Sequence, residues 1–306
     1  MQLPELFGLL NVNKPEGVTS RDVVNNVQKL FKKVKVGHAG TLDPLASGVL
    51  LIGIGPATRL VSRLQEGMKE YQAQFRFGAT SDTDDATGKV QPVADARPVT
   101  RAELESRLPE FIGEILQVPP QFSAVHVEGQ RAYDLARSGK TMTLTPRTVV
   151  VSRIEILSFE YPDVELLIEC GSGTYIRSIG RDLGERLGCG AIMTALVRTR
   201  SGPFKLEEAV EMSRISATSL VAHLIPPQRA LGEMPRYACS LTEAQTLLKG
   251  QPIDVDESNL RQTWREYPTA TVEVALVSPA DELYGIAEFD PTMCRLKPQM
   301  MFLKNE

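Results

Sequence analysis

Few residues in this 306-residue chain join a reactive side chain to a setting for chemistry, and the best placed is Asp43. It lies in Gly37-His38-Ala39-Gly40-Thr41-Leu42-Asp43-Pro44-Leu45-Ala46-Ser47-Gly48, between a basic segment and an apolar run. Gly37, Gly40 and Gly48 permit backbone angles closed to other residues, and Pro44 pushes Asp43 toward an extended conformation. A carboxylate on a stiff loop between two buried elements is a reasonable place for chemistry. An Asp-Pro pair is also ordinary turn chemistry, and on spacing alone both readings stand. Competing chemistries find less support. His38, His126 and His223 are far apart, and none has a second ligand at metal spacing. No Gly-x-Ser-x-Gly motif offers a serine nucleophile. Asp82, Asp84 and Asp85 lack the calcium-loop spacing, so residues 78–90 read as a solvated turn. Gly171-Ser172-Gly173 begins like a dinucleotide turn, but Ile176 stands where the third glycine belongs. What remains is a single loop carboxylate, for which the rest of the chain offers arginines and tyrosines as candidate partners. That set is thin for hydrolysis, which usually pairs two carboxylates, and suits an isomerisation in which nothing is lost to water.

The elements that must position these residues follow from periodicity and capping. Residues 8–12 read as a strand running into the turn Lys14-Pro15-Glu16-Gly17. Ser20 then suits a helix N-cap, with Asp22 in the first turn and Lys29, Lys32 and Lys33 in the last. Val23, Val24, Val27, Leu30 and Phe31 share one face of that helix. Residues 49–54 are expected as a buried strand, and residues 57–64 as a short helix exposing Arg59 and Arg63. Residues 70–77 alternate, with Tyr71, Ala73, Phe75 and Phe77 on one side of a half-buried strand. Thr100 and Glu103 form a capping box opening another helix. Residues 119–139 are mixed and end in a short helix with Gly139 as its C′ residue. Strands at 148–159 and 164–170 precede a helix where Arg177, Arg181 and Glu185 fall one turn apart, the spacing of an ion-pair ladder. From about residue 235 the texture changes: Thr242 and Gln245 cap a helix ending at Gly250, followed by strands at 272–277 and 284–289.

Composition is that of a soluble globular protein, 42% hydrophobic and 24% charged, and the length suggests two domains. No run approaches the ~20 apolar residues that span a bilayer. The N-terminus has no basic segment before an apolar core, so a secretory signal is not expected. Cys170, Cys189, Cys239 and Cys294 show no Cys-x-x-Cys spacing and read as reduced thiols, which makes the cytoplasm the expected location. A net charge of −4 argues weakly against nucleic-acid binding. Its distribution says more: residues 1–63 hold 8 basic and 4 acidic groups, and residues 170–206 hold 6 and 2. If these segments meet they make a positive surface for phosphates. Charge alone leaves RNA, an acidic metabolite or neither as partner.

The string GHAGTLDPLASGVL closely resembles the signature of the tRNA pseudouridine-55 synthase family (the TruB type), in which the aspartate is catalytic. Lys69-Glu70-Tyr71 resembles the motif whose tyrosine stacks on the target base. Gly173-Thr174-Tyr175-Ile176-Arg177-Ser178 resembles the motif whose arginine pairs with the aspartate, a pairing that favours the ionised carboxylate. Leu196, in Ala195-Leu196-Val197-Arg198-Thr199-Arg200, matches the apolar residue under the base. For Tyr71 and Leu196 a plain core role is the alternative reading. His38 resembles the residue that fills the space left by an everted base, and Lys14 resembles a buttress of the site, structural first. Arg59, Arg131 and Arg181 are further candidates for RNA contact. The resemblance implies isomerisation of uridine-55 in the T-loop of tRNA, without cofactor or metal. The implied fold is α/β (α+β), a mixed, largely antiparallel sheet flanked by helices, plus a small β-rich PUA-like domain. The corresponding domains are 1–234, with an RNA-contacting insertion at about 119–146, and 235–306. The tRNA T-arm is the expected partner, with no membrane and no obligatory protein partner for a monomer. A non-catalytic tRNA-binding protein and a carboxylate-dependent glycoside hydrolase are the rival readings. The set of Asp43, Tyr71 and Arg177 disfavours the first, and the lack of a second carboxylate the other.

Overall fold

The computed structural model describes residues 6–31, 33–123, 126–127, 130–131, 142–255 and 268–303. Strand β1 (Gly8–Lys14) turns into helix α1 (Ser20–Leu30), then come β2 (Val36–Ala39) and β3 (Ala46–Ile54). Helix α2 (Val61–Glu66), β4 (Lys69–Phe77), α3 (Arg101–Arg107) and β5 (Gly113–Gln117) follow. The hairpin of β6 (Arg147–Glu160) and β7 (Asp163–Cys170) leads to α4 (Ile176–Arg186) and β8 (Ala191–Ser201), then to the short β9 (Phe204–Lys205) and β10 (Val210–Glu211). Among the described residues these strands make one ten-stranded sheet, ordered β10-β1-β3-β8-β4-β7-β6-β5, with β2 on β3 and β9 on β8. All its pairs are antiparallel except β1 with β10 and β3 with β8, so the expected mixed, largely antiparallel sheet is what forms.

The continuous apolar run of β3 has a reason. Leu50, Ile52 and Ile54 pack with Val23, Val24 and Val27 of α1, while Val49 and Leu51 pack with Leu9, Leu64 and Phe204 on the other face. A strand covered on both sides has no polar face to alternate with. Helix α4 seats on the sheet beside Phe75, and so closely that a Cβ at Gly180 would lie 2.3 Å from the Phe75 ring.

A second sheet carries the C-terminal region: β11 (Arg236–Ala238), β12 (Ile253–Asp254), β13 (Val272–Val277), β14 (Leu283–Asp290) and β15 (Arg295–Met301), ordered β11-β13-β14-β15-β12 with helix α5 (Leu241–Leu248) against it. Leu60, Ile286 and Phe302 share a buried cluster that joins it to the first sheet.

Several local expectations are corrected. Thr19, not Ser20, caps α1, through a reciprocal box with Asp22. Ser20 is buried and engaged elsewhere, and Lys32 lies outside the described residues. Ser240 with Glu243 caps α5, not Thr242. Residues 57–64 split into a 3-10 helix (Gly55–Leu60) and α2, because Pro56 starts the first and no side chain caps the second. The helix expected before Gly139 lies outside the described residues. Residues 36–39 and 46–48 are strand, so the loop around Asp43 shrinks to residues 40–45.

Candidate active site

The Asp43 loop is fixed at several points. Ser20 Oγ accepts from Leu42 N–H at 2.8 Å and donates to Leu42 O at 3.0 Å, tying the loop to the start of α1. Pro44 O accepts from Gly17 N–H at 2.8 Å. Lys14, fully buried, donates to Pro15 O at 2.9 Å and Val18 O at 2.8 Å, holding the turn on which Pro44 rests. Burial pushes the Lys14 ammonium down to about 8, against the opposing pull of Asp43. Gly48 has φ of +99°, and a Cβ there would lie 2.3 Å from Arg198 O, so only glycine lets β3 close on β8.

Arg177, near the N-terminus of α4, brings the distant half of the site. Its Nη2 lies 3.0 Å from Asp43 Oδ2, and its Nη1 lies 3.5 Å from Asp85 Oδ2. The same guanidinium donates to Thr83 O at 2.8 Å and Phe122 O at 3.1 Å. The Arg177 side chain is 5% exposed, whereas Asp43 is 40% exposed and faces a cleft of about 700 Å³. Asp85, also buried, accepts from Thr83 Oγ1, Thr87 N–H and Thr87 Oγ1 at 2.6–2.9 Å. Residues 81–87 are therefore not a solvated turn. They form a carboxylate cradle, in which Asp84 takes Arg181 at 2.8 Å and burial pushes the Asp84 carboxyl upward. Neither Arg177 nor Arg181 ion-pairs with Glu185; in place of the alternative ladder reading, Arg177 reaches Asp43 and Asp85, and Arg181 reaches Asp84 and Asp182.

Tyr71 and Leu196 stand side by side on one sheet face. Arg198 pairs in register with Tyr71 and Leu196 with Ala73, and of these four Tyr71, Leu196 and Arg198 border the cleft. Burial pushes the Tyr71 hydroxyl up, and the Arg198 guanidinium beside it offsets part of that. His38 sits on β2 opposite Ile52; burial, with Arg21 and Arg198 nearby, holds its imidazole below the usual range. Its Nδ1 is buried without a partner. Arg181 is held by Asp84, Asp182 and Val118 O. Arg59 faces the C-terminal sheet rather than the cleft: it donates to Met301 O at 2.7 Å and lies 5.4 Å from the Phe302 ring centroid. Arg131 belongs to a two-residue strand paired with His126, and its side chain lies outside the described residues.

Three residues that matter here were not singled out in the sequence: Asp85, Arg198 and Lys69. Threonines at 83 and 87 flanking Asp85 were the available signal, since hydroxyls two residues either side can satisfy a buried carboxylate. For Arg198 the signal was a basic residue two positions beyond Leu196, hence on the same strand face.

Comparison with known proteins decides the family. Residues 28–176 match the sequence model of the TruB family pseudouridylate synthase N-terminal domain, and residues 177–231 match that of the tRNA pseudouridylate synthase B C-terminal domain. The chain is 41% identical over 285 residues to the tRNA pseudouridine synthase B of Synechocystis sp., covering 90% of this chain and 96% of that one. It is 43% identical to the protein of that name from Cereibacter sphaeroides, covering 89% and 92%. The chain belongs to the TruB family of pseudouridylate synthases. The fold agrees: a solved Cbf5–Nop10–Gar1 complex aligns with a TM-score of 0.73 at 27% identity, covering 97% of this chain and 85% of that one. Within this TruB-family chain the two family models meet between Ile176 and Arg177, so the Asp43–Arg177 pair joins one segment to the other.

Proposed function

We propose that this chain converts uridine-55 in the T-loop of tRNA to pseudouridine, with Asp43 as the catalytic carboxylate. The observation that carries the reading is the Asp43–Arg177 ion pair at a cleft that Tyr71 and Leu196 also line, in a chain of the TruB family. A stacked uridine must be everted to enter such a cleft, at a cost of a few kcal/mol. Tyr71 and Leu196 then hold the uracil between an aromatic and an aliphatic surface, and His38 occupies the space it leaves. Asp43 acts as nucleophile or assists cleavage of the C1′–N1 bond. Uracil turns in place, C5 bonds to C1′, C5 loses its proton and N1 gains one. Atoms balance without water, and no cofactor enters. Tyr71, with its hydroxyl pushed up by burial, enters the reaction as the neutral phenol. Asp85 gives Arg177 a second carboxylate but is buried, with three hydrogen bonds on Oδ1 and Arg177 facing Oδ2, so it is no partner for hydrolysis. Residues 1–234 form the catalytic part, and the C-terminal sheet is a PUA-like RNA-binding domain.

Tritium release from tRNA labelled at uracil C5 tests the reading. Wild type releases tritium, and Asp43→Ala abolishes release while tRNA binding persists. Undiminished release by the variant removes Asp43 from the mechanism.

A further inference from the structure

The cleft holds more positive charge than its carboxylates match. Lys69 and Arg198 both line it, at 5% and 1% exposure. Register puts them together: Arg198 lies opposite Tyr71, and Lys69 is two residues before Tyr71 on the same face of β4. Among the described residues no carboxylate ion-pairs with either, although the neighbouring Arg200 reaches Glu169 at 2.8 Å. Asp43 is already paired with Arg177, and Glu66, the other carboxylate on the cleft wall, favours the Lys69 charge from a distance without ion-pairing it. Donors are also left over. The Lys69 ammonium has three and gives two, to Gln65 O and Gly67 O. The Arg198 guanidinium has five and gives Nε to Val49 O at 2.6 Å and Nη2 to Gly40 O at 3.2 Å. With one more given to the Tyr71 hydroxyl, one donor on Lys69 and two on Arg198 have no acceptor among the described residues. Burial and the nearby Arg198 push the Lys69 ammonium below its usual range. Buried charge without a counter-charge is costly, and an anion in the cleft relieves that cost. The opposite wall adds Arg147, stacked 4.7 Å from the Tyr175 ring centroid with its Nε buried and unpartnered.

We propose that Lys69 and Arg198 form an anion subsite that takes a backbone phosphate diester of the RNA beside the everted nucleotide. The identity of the RNA rests on the function proposed above; the anion chemistry does not. Phosphate oxygens accept the unmatched N–H groups and supply the missing negative charge, so the backbone is held while the base turns.

Stem-loop RNAs carrying a single neutral methylphosphonate, either 5′ or 3′ of the target uridine, test this by binding to wild type and Lys69→Gln. One of the two linkages costs wild type about 10-fold in affinity, the scale of a charge-assisted hydrogen bond. Lys69→Gln loses a similar factor on unmodified RNA, nothing further on the methylphosphonate, and its salt slope falls by about 0.7. Losses that multiply instead overturn the subsite. Lys69→Arg, which keeps the charge, retains the methylphosphonate penalty; its absence there also counts against the proposal. Inorganic phosphate supplies a separate arm in thermal melts. Stabilisation of wild type but not Lys69→Gln, together with multiplying methylphosphonate losses, assigns the site to a free anion and overturns the diester. If no RNA releases tritium, the isomerase reading fails, while the binding cycle still decides the subsite.

Discussion

Arg177 serves two carboxylates and two carbonyls with one planar group, Asp43 and Asp85 by ion pairs and Thr83 O and Phe122 O by hydrogen bonds. A lysine offers a point charge and cannot reproduce that fork. Arg177→Lys is expected to lower kcat by about 10²-fold, the usual cost of misplacing a reacting group by about 1 Å, with a smaller change in KM; single-turnover kinetics on a T-arm stem-loop measure it. Lys14 makes a second prediction. Its folded-state value of about 8 lies below the 10.5 of an unperturbed lysine. Between those values the unfolded chain holds a proton that the folded chain has released, so this group makes stability rise as pH rises from 8 to 10.5. The gap corresponds to about 3 kcal/mol. Denaturant melts of wild type and Lys14→Gln across that window should show wild type gaining on the variant by about that amount; a constant difference would mean that Lys14 holds its proton as in water. At this scale the sequence named Asp43, Tyr71 and Arg177 by type and local string, and the fold gathers the three at one cleft. It did not disclose Asp85, because burial of an aspartate in a polar turn depends on an arginine that arrives about ninety residues later.

Among the elements, periodicity failed to reveal β2, β5, β8 and β15, and β8 matters most to the site. It runs beside β3 and β4 at the centre of the sheet and supplies Leu196 and Arg198. Two register shifts against β4, between Met193 and Ala195 and between Arg198 and Arg200, break its alternation, so inward and outward positions do not follow a period of two. By contrast β4 alternates without interruption and was legible from that alternation alone. The capping box at Thr100 and Glu103 formed as expected, since both partners are local. The seat of α4, which carries Arg177, depends on Gly180. Gly180→Ala drives a methyl group into the buried Phe75 ring and is expected to cost about 1–3 kcal/mol, the range for overpacking a core. A chemical-denaturation midpoint reads this, and an unchanged midpoint would show that α4 can lift without penalty.

Across the whole molecule, the C-terminal sheet docks through α2 and the 3-10 helix before it. Arg63 pairs with Glu273 of β13, Arg59 reaches Met301 O, and the Phe302 ring packs tilted against Phe7 at a centroid distance of 4.8 Å. The charged pair is partly exposed, so its worth is about 1 kcal/mol or less. Arg63→Glu should lower the melting temperature by placing two like charges at the seam, and the double exchange Arg63→Glu with Glu273→Arg should recover it. Failure of the exchange to recover would place the docking energy in the Leu60, Ile286 and Phe302 cluster instead. The same α2 lends Ser62, Gln65 and Glu66 to the cleft, so the seam and the site share an element. The sequence by itself determined the local matters: the strands at 49–54, 70–77, 148–159 and 164–170, where Thr100 caps a helix, which string holds the acidic residue, and the family to which that string belongs. Those depend on neighbours a few positions apart. Tertiary structure alone decided that Asp85 is buried and Asp84 half-buried against arginines, that Arg59 faces another sheet, and that Lys69 and Arg198 share a wall where no carboxylate ion-pairs with them. Burial and charge balance are sums over groups gathered from the entire chain, and no single stretch of it contains them.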